Sequence, residues 1–418
     1  MNAQPTTNKT SARALVIFSL AVSFLFYKYL IEVSPSIMTH RLMAFFKINA
    51  VHLGNIAASY YYIYFIMQLP MGILLDRLGP RKVMTTCIIL CALGTLIFAY
   101  SQTFIIACGG RFLTGLGASV AAIGTLKLIT LWFNRKYFAL MTGLMMTIGM
   151  LGAVFGEAPL SLAVDHFNWH NTLLFLSLIG FLLTIIFGLV VSDKAPFATQ
   201  PSKVHTPSLW QGLKCVLSKP QTWWLSLYSG FAFAPITAFG GLWGVPFLEK
   251  NYVLSHTQAA FSASLIFIGF AIGAPLFGFL SERHSKRKPL MTLGTIIAFI
   301  ILSIIIFGHI HSLVLMQFLL LSFGTSLAGF LLCFSMVREV NPLILAGTVL
   351  GFMNAFDAAM SAITDPLIGY ILDYGKKAPI ETFSTYDFTA GITTLLVYLG
   401  IAVVLLIKLK ETHCQQQV

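Results

Sequence analysis

Gly72-Ile-Leu-Leu-Asp-Arg-Leu-Gly-Pro-Arg-Lys82 is a short, densely charged break between two long apolar runs. A second copy, Gly278-Phe-Leu-Ser-Glu-Arg-His-Ser-Lys-Arg-Lys288, follows at an offset of 206 residues, close to half of the 418-residue chain. An internal duplication is therefore the first expectation, and a repeat of this size sets the architecture before any single helix does.

Hydrophobic residues make up 57% of the chain and charged residues 10%, with a mean hydropathy of +0.84. That balance excludes a soluble globular domain and fits a polytopic membrane protein. Runs such as 83–100, 173–191, 291–308 and 392–407 approach the roughly 20 apolar residues that cross a hydrocarbon core as a helix. None alternates polar with apolar as a barrel strand would. The net charge of +12 sits in membrane-flanking loops, so nucleic acid is not the expected partner. The first apolar run carries Lys28 and Glu32 and reads as a spanning helix, not a cleaved leader. Six cysteines lie mostly inside apolar runs without the clustering that a metal or redox site needs, so no metal and no cofactor are expected.

Twelve spans are expected, at about 13–36, 50–72, 83–101, 104–131, 138–160, 170–192, 221–246, 258–280, 289–308, 313–337, 346–372 and 387–408. The fold class is thus an all-α membrane protein of two six-helix halves, residues 1–192 and 221–418, joined by a polar linker over 193–220. A surface helix is expected around 208–217 inside that linker. Of 26 basic residues, 18 fall on the side that holds both termini and both charged copies, 5 on the other side and 3 within spans. Basic residues accumulate on the cytoplasmic side, so both termini are expected there, in a bacterial inner membrane.

Two six-helix halves with a charged loop after the second helix of each resemble the major facilitator superfamily of secondary transporters. Gly72, Asp76, Gly79, Arg81 and Lys82 look like its signature loop, while Ser285 replaces the second glycine in the other copy. Arg111-Phe-Leu-Thr-Gly115-Leu-Gly117 resembles the family's Arg-x-x-x-Gly-x-Gly pattern on helix 4, with Gln317 at the matching place of the second half. Helix 5 carries Gly149, Gly152, Gly156 and Pro159 but lacks the Gly-Pro pair of the family's drug exchangers, which argues against efflux. Tyr27-Lys28-Tyr29, Val33-Ser34-Pro35-Ser36 and Tyr60-Tyr61-Tyr62 resemble a bacterial subgroup that includes amino-acid and nucleoside carriers of intracellular bacteria. The resemblance implies alternating access, no enzymatic activity and a monomer.

A carboxylate in a signature loop caps a facing helix N-terminus, and neighbouring guanidinium groups pair with acids or carbonyls. Asp76, Arg77, Arg81, Glu282, Arg283 and Arg287 are the expected gating set, holding the halves together in one state. Gly152/Gly156, Gly269/Gly273 and Gly347/Gly351 form small faces for close helix approach, and the resemblance places the contacts between halves at helices 5–8 and 2–11.

Ionisable groups inside spans are costly and mark function by default. Lys28 and Glu32, four residues apart, share a face of helix 1, and Arg111 and Lys127 lie on helix 4. Asn354, Asp357, Ser361 and Asp365 line one face of helix 11, and Tyr60, Tyr64 and Gln68 one face of helix 2. The expected substrate set is Lys28, Glu32, Tyr60, Tyr64, Arg111, Lys127, Trp243, Asn354 and Asp357. A carboxyl group whose surroundings alternate between water and low dielectric loads and unloads a proton as access changes, which makes Glu32, Glu157 and Asp357 the proton-coupling candidates. Mixed charge suits a zwitterion, so the expected cargo of proton-coupled uptake is an amino acid or short peptide-like solute. An organic anion (a carboxylate or siderophore) or a nucleoside is the alternative cargo, and a non-transporting membrane receptor the alternative of another class.

Overall fold

The structure, a computed structural model, describes residues 12–134, 137–193, 209–342, 345–374 and 383–417. Most of the linker, 194–208, lies outside the described residues, as do the basic residues Lys9, Arg135, Lys136, Lys194, Lys203, Lys376 and Lys377 counted above. The described residues contain helices and no strand.

Among the described residues, twelve spans cross the bundle once the long helix Phe138–Val190 is divided at Asn168: α1 Ala12–Phe46, α2 Ala50–Leu78, α3 Pro80–Ala99, α4 Phe104–Trp132, α5 138–167, α6 169–190, α7 Pro220–Tyr252, α8 His256–His284, α9 Lys288–Phe307, α10 Leu313–Glu339, α11 Ala346–Asp373 and α12 Thr385–Lys408. Helices α5 and α6 run together as Phe138–Val190, broken where Asn168 takes φ 63° and accepts the N–H of Asn171 as a cap at 3.0 Å. The surface helix expected near 208–217 is present as Leu209–Leu217, with Ser208 outside the described residues. Large apolar side chains such as Leu140, Phe175, Leu182, Ile300 and Phe318 face outward. In water such a surface is untenable, whereas in lipid it is the expected belt.

The duplication is written in the backbone. Gly79 turns at φ 80°, and at the same offset Ser285 takes φ 49°. A positive φ therefore survives loss of glycine in the second copy, but with ψ 39° at Ser285 against 152° at Gly79, so the two turns differ in shape. The backbone φ is what favours glycine at Gly79, and a side chain there would also displace the Asp193 carboxylate, 2.7 Å away. Asp193 lies just beyond α6 and accepts the N–H of Arg81 at 2.9 Å; Glu411, just beyond α12, accepts the N–H of Arg287 at 3.1 Å. Each half thus uses a carboxylate after its sixth helix to cap the helix that follows its signature loop.

Equivalent helices are also irregular in equivalent places. Helix α1 tightens into a 3₁₀ turn at Ser34–Met38, and α7 loosens into a π turn at Ile236–Trp243. These two segments pack against each other across the halves. Departures of this kind mark hinges and sites.

The bundle has two ends, the signature end with both charged loops and the far end opposite. Helices α2 and α11 run antiparallel and nearly touch at the far end: a Cβ on Gly54 would lie 2.5 Å from the carbonyl oxygen of Asp365, and one on Gly369 would lie 2.4 Å from that of Ala50. Toward the signature end the gap widens, with 3.5 Å from Gly351 to Leu69 and nothing within 4 Å of Gly72 or Gly347. The pair is a V, shut at the far end. Gly152 and Gly156 pack on Phe26 and Leu30 of α1, and Gly269 and Gly273 on Leu321 and Thr325 of α10. Those two faces join helices within one half, not across the halves as expected, because the motif specifies close approach without naming the partner helix.

Candidate functional site

On the face that the first half turns to the second, Lys28 forms an ion pair with Glu32 one turn along α1. Both are nearly buried, at 4% and 6% exposed. Spacing of four residues puts the two heads together, and burial leaves neither a path to bulk water. The Lys28 ammonium lies 3.7 Å from the ring centre of Tyr29, 5.3 Å from that of Tyr64 and 6.0 Å from that of Tyr60. Such rings stabilise a desolvated cation. Glu32 accepts from the hydroxyls of Tyr60 at 3.2 Å and Tyr61 at 3.0 Å. The carboxylate is thus held by one cation and two phenols.

Arg111 on α4 backs this cluster. Its Nη1 donates to the carbonyl of Ile31 at 2.8 Å and its Nη2 to that of Glu32 at 3.1 Å. The sequence around it explains the reach. A Cβ on Gly115 would sit 2.2 Å from the Tyr60 carbonyl oxygen, and one on Gly117 would sit 2.3 Å from that of Cys87. The two glycines let α4 lie against α2 and α3, which brings the guanidinium to the end of the regular part of α1.

Across the interface, Asp357 accepts from Ser229 of α7 at 2.5 Å, and Ser361 meets Thr237 at 2.8 Å. Trp243 Nε1 donates to the Asp365 carbonyl at 3.3 Å, and Asn354 is half-buried toward the signature end. The polar line of α11 therefore faces α7. Asp357 is near enough to Tyr29, and Asp365 near enough to Glu32 and Arg111, to act on them electrostatically. Glu157 on α5 is fully buried, accepts from Ser36 at 2.7 Å and leaves its second oxygen without a partner.

Not every expected residue joins this cluster. Lys127 lies at the signature end and donates to Asp76 at 2.8 Å. Arg81 donates to the Gly188 carbonyl, and Arg287 pairs with Glu339 at 2.5 Å. Arg77, Glu282 and Arg283 are exposed and make no ion pair among the described residues. The signature charges thus bond within their own halves here. At the far end the bonds cross: His40 meets Glu249 at 3.2 Å, and Asp373 accepts the N–H groups of Ala50 at 3.1 Å and Val51 at 2.8 Å, while Glu249 also meets His256 of its own half at 2.6 Å. Sequence reasoning missed Tyr29, Tyr61, His40, Glu249 and Asp373. Tyr29 and Tyr61 adjoin residues already singled out, whereas Asp373 gives no local signal. No group of three or more metal-ligating side chains exists among the described residues.

The family model described as Major Facilitator Superfamily matches residues 14–365 and 238–412. The chain belongs to this superfamily. It is therefore a secondary transporter and not an enzyme. Over 432 residues it is 24% identical to the probable galactarate/D-glucarate transporter of Bacillus subtilis (strain 168), covering 95% of this chain and 94% of that one. The D-galactonate transporter of Escherichia coli O6:H1 is 22% identical over 390 residues, covering 85% and 88%. Among solved structures, a bacterial homolog of the human lysosomal transporter Spinster, inward-facing and unoccupied, superposes with a TM-score of 0.77 at 15% identity and 96% coverage of both chains. A nucleoside transporter gives 0.73 at 15% identity, covering 94% of this chain and 99% of that one. As a multi-pass superfamily carrier, the chain binds a small-molecule substrate within the bilayer.

Proposed function

We propose that this transporter takes up a small hydroxylated organic acid together with a proton across the bacterial cytoplasmic membrane. The signature end and both termini face the cytoplasm, as the distribution of basic residues favours, and the V of α2 and α11 is then an inward-facing state of a monomer. The observation that carries the reading is the Lys28–Glu32 pair among tyrosine hydroxyls. A proton on Glu32 cancels its hold on Lys28, which turns its ammonium to the substrate carboxylate. Hydroxyls of Tyr60, Tyr61 and Tyr64, with Asn354 opposite, suit the polyol part of such a solute. Asp357 and Glu157 are further proton carriers, and the two halves, α1–α6 and α7–α12, are the rocking units. The two relatives named above carry sugar-acid names, which favours an organic acid over the amino acid expected from charge balance alone.

Purified protein in liposomes tests this with labelled sugar acids, amino acids and nucleosides, with and without an inward proton gradient. A sugar acid should accumulate only with the gradient, and Glu32→Gln should keep exchange while losing accumulation. Movement of amino acids but no organic acid would sink the cargo assignment. Uptake indifferent to the gradient would sink the coupling.

A further inference from the structure

We propose that Asp373 is the far-end latch of the transport cycle and works in alternation with Asp76. The α2 helix begins at Ala50 at the far end, where its first N–H groups lack partners inside the helix. Asn49 satisfies one donor, that of His52, and Asp373 takes the next two, those of Ala50 and Val51. Asp373 is the last residue of α11, in the other half of the molecule. A carboxylate at a helix N-terminus gains both charge-assisted bonds and the favourable end of the helix dipole. This cap therefore ties the halves together at the far end, directly beside the backbone contacts of Gly54 and Gly369.

The same two helices carry the converse arrangement at the signature end. There α11 starts at Ala346 behind Leu345, with no side-chain cap and no acidic residue in its first turn. The neighbouring end of α2 holds Asp76, which is 69% exposed and, among the described residues, pairs with Lys127 of its own half. Each of the two antiparallel helices thus carries an acid in the last turn, at the end where the other begins. One cap is made and the other is open. The two caps cannot both be closed, since α2 and α11 touch at the far end and part toward the signature end; rocking that shuts one end of the V opens the other. Asp373 is thus a gating residue that acts through backbone N–H groups and touches no substrate. Such a latch would serve the cycle whichever solute is carried.

Spin-label distances in protein with its native thiols replaced test the idea. The far-end pair is Lys47→Cys with Lys250→Cys, and the signature-end pair is Lys82→Cys with Lys286→Cys. Asp373→Ala should lengthen the first distance and shorten the second, with roughly a tenfold or greater gain in the outward-facing share, the scale set by losing two charge-assisted bonds. Asp373→Asn, which keeps the shape and one acceptor, should move both distances the same way by less. Asp76→Asn should move them in the opposite sense, and the double variant Asp76→Asn/Asp373→Asn should return toward the parent. Unchanged distances in Asp373→Ala would overturn the proposal, as would shifts of the same sign for the Asp76 and Asp373 variants. Failure of both Asp373 variants to yield folded protein would also overturn it, since the residue would then belong to the fold and not to the cycle.

Discussion

Arg111 donates through Nη2 to the main-chain carbonyl of Glu32 at 3.1 Å, not to the carboxylate of that residue. The guanidinium grips the backbone where α1 leaves its regular helix for the 3₁₀ turn at Ser34–Met38, and so aims the Glu32 side chain at Lys28 and the tyrosines. Its charge is useful for another reason: the ring of Tyr60 lies 5.1 Å from it, between the arginine and the lysine cluster.

The first prediction follows from that grip. Lysine in place of Arg111 keeps the charge but offers a point donor where two carbonyls need a fork. Arg111→Lys should lose one of the two bonds, about 1.5–3 kcal/mol for a hydrogen bond to a charged group. Thermal unfolding should occur several degrees lower and uptake should fall about tenfold or more, with both deficits larger in Arg111→Ala. Normal uptake by Arg111→Lys would show that the orientation of α1 tolerates the loss.

Lys28 gives a second, sharper contrast. Lys28→Ala removes the cation and leaves Glu32 buried with two phenols and no counter-charge. Substrate binding, read by isothermal calorimetry or by protection against unfolding, should weaken by roughly 100-fold, the scale of an uncompensated buried ion-pair partner. Lys28→Arg retains charge but is larger than a site closed by three rings admits, and should recover little. Binding near parental strength in Lys28→Ala would move the anion site elsewhere.

Much of this was readable in the chain, and the unreadable part has a common cause. Periodicity and length give all twelve spans, and a spacing of four gives the Lys28–Glu32 pair. The duplicated loop predicts a turn in each copy, weakened where Ser285 replaces glycine, and both copies turn at positive φ, with ψ 152° at Gly79 and 39° at Ser285. What local sequence does not carry is the partner of each polar group. Ser36 meets Glu157 across 121 positions and Ala50 meets Asp373 across 323, contacts that exist only after the helices are stacked. Lys127 illustrates the same limit from the other side: an intramembrane cation reads as a substrate ligand, yet here it pairs with the first signature carboxylate. Two of the three Gly-x-x-x-Gly faces likewise pack inside their own half, since a small face permits close approach to any neighbour.

Gly54 supplies a steric prediction at the far end. A methyl group there would enter the carbonyl of Asp365 at 2.5 Å, and backbone cannot move aside as a flexible side chain can. Overpacking of this kind costs about 1–3 kcal/mol, imposed only while α2 and α11 are in contact. Gly54→Ala should therefore destabilise the state shut at the far end and raise labelling of central residues from the outside by roughly 5- to 100-fold in the state ratio. Gly72→Ala, with nothing within 4 Å, should leave the ratio unchanged. Equal behaviour of the two variants would contradict the V.

The last prediction concerns pH and the signature end of the second half. Glu411 is partly buried, which disfavours its charge, yet the N–H groups of Arg287, His413, Lys288 and Thr412 outweigh that and hold its carboxyl below the ordinary carboxylate range. A carboxyl bound more tightly as an anion in the folded protein stabilises the fold above its unfolded pKa of about 4.3 and loses that contribution as pH falls through the lower folded value. The cap on α9 is therefore at full strength at neutral pH and disappears under acid. Glu411→Gln should lower the thermal midpoint at pH 7, and the gap between it and the parent should close as pH drops below about 4. The same comparison with Asp193→Asn asks whether the first half depends equally on its cap on α3. A gap for Glu411→Gln that stayed constant across this range would mean that the carboxylate contributes by shape alone, and the electrostatic account of the cap would have to be given up.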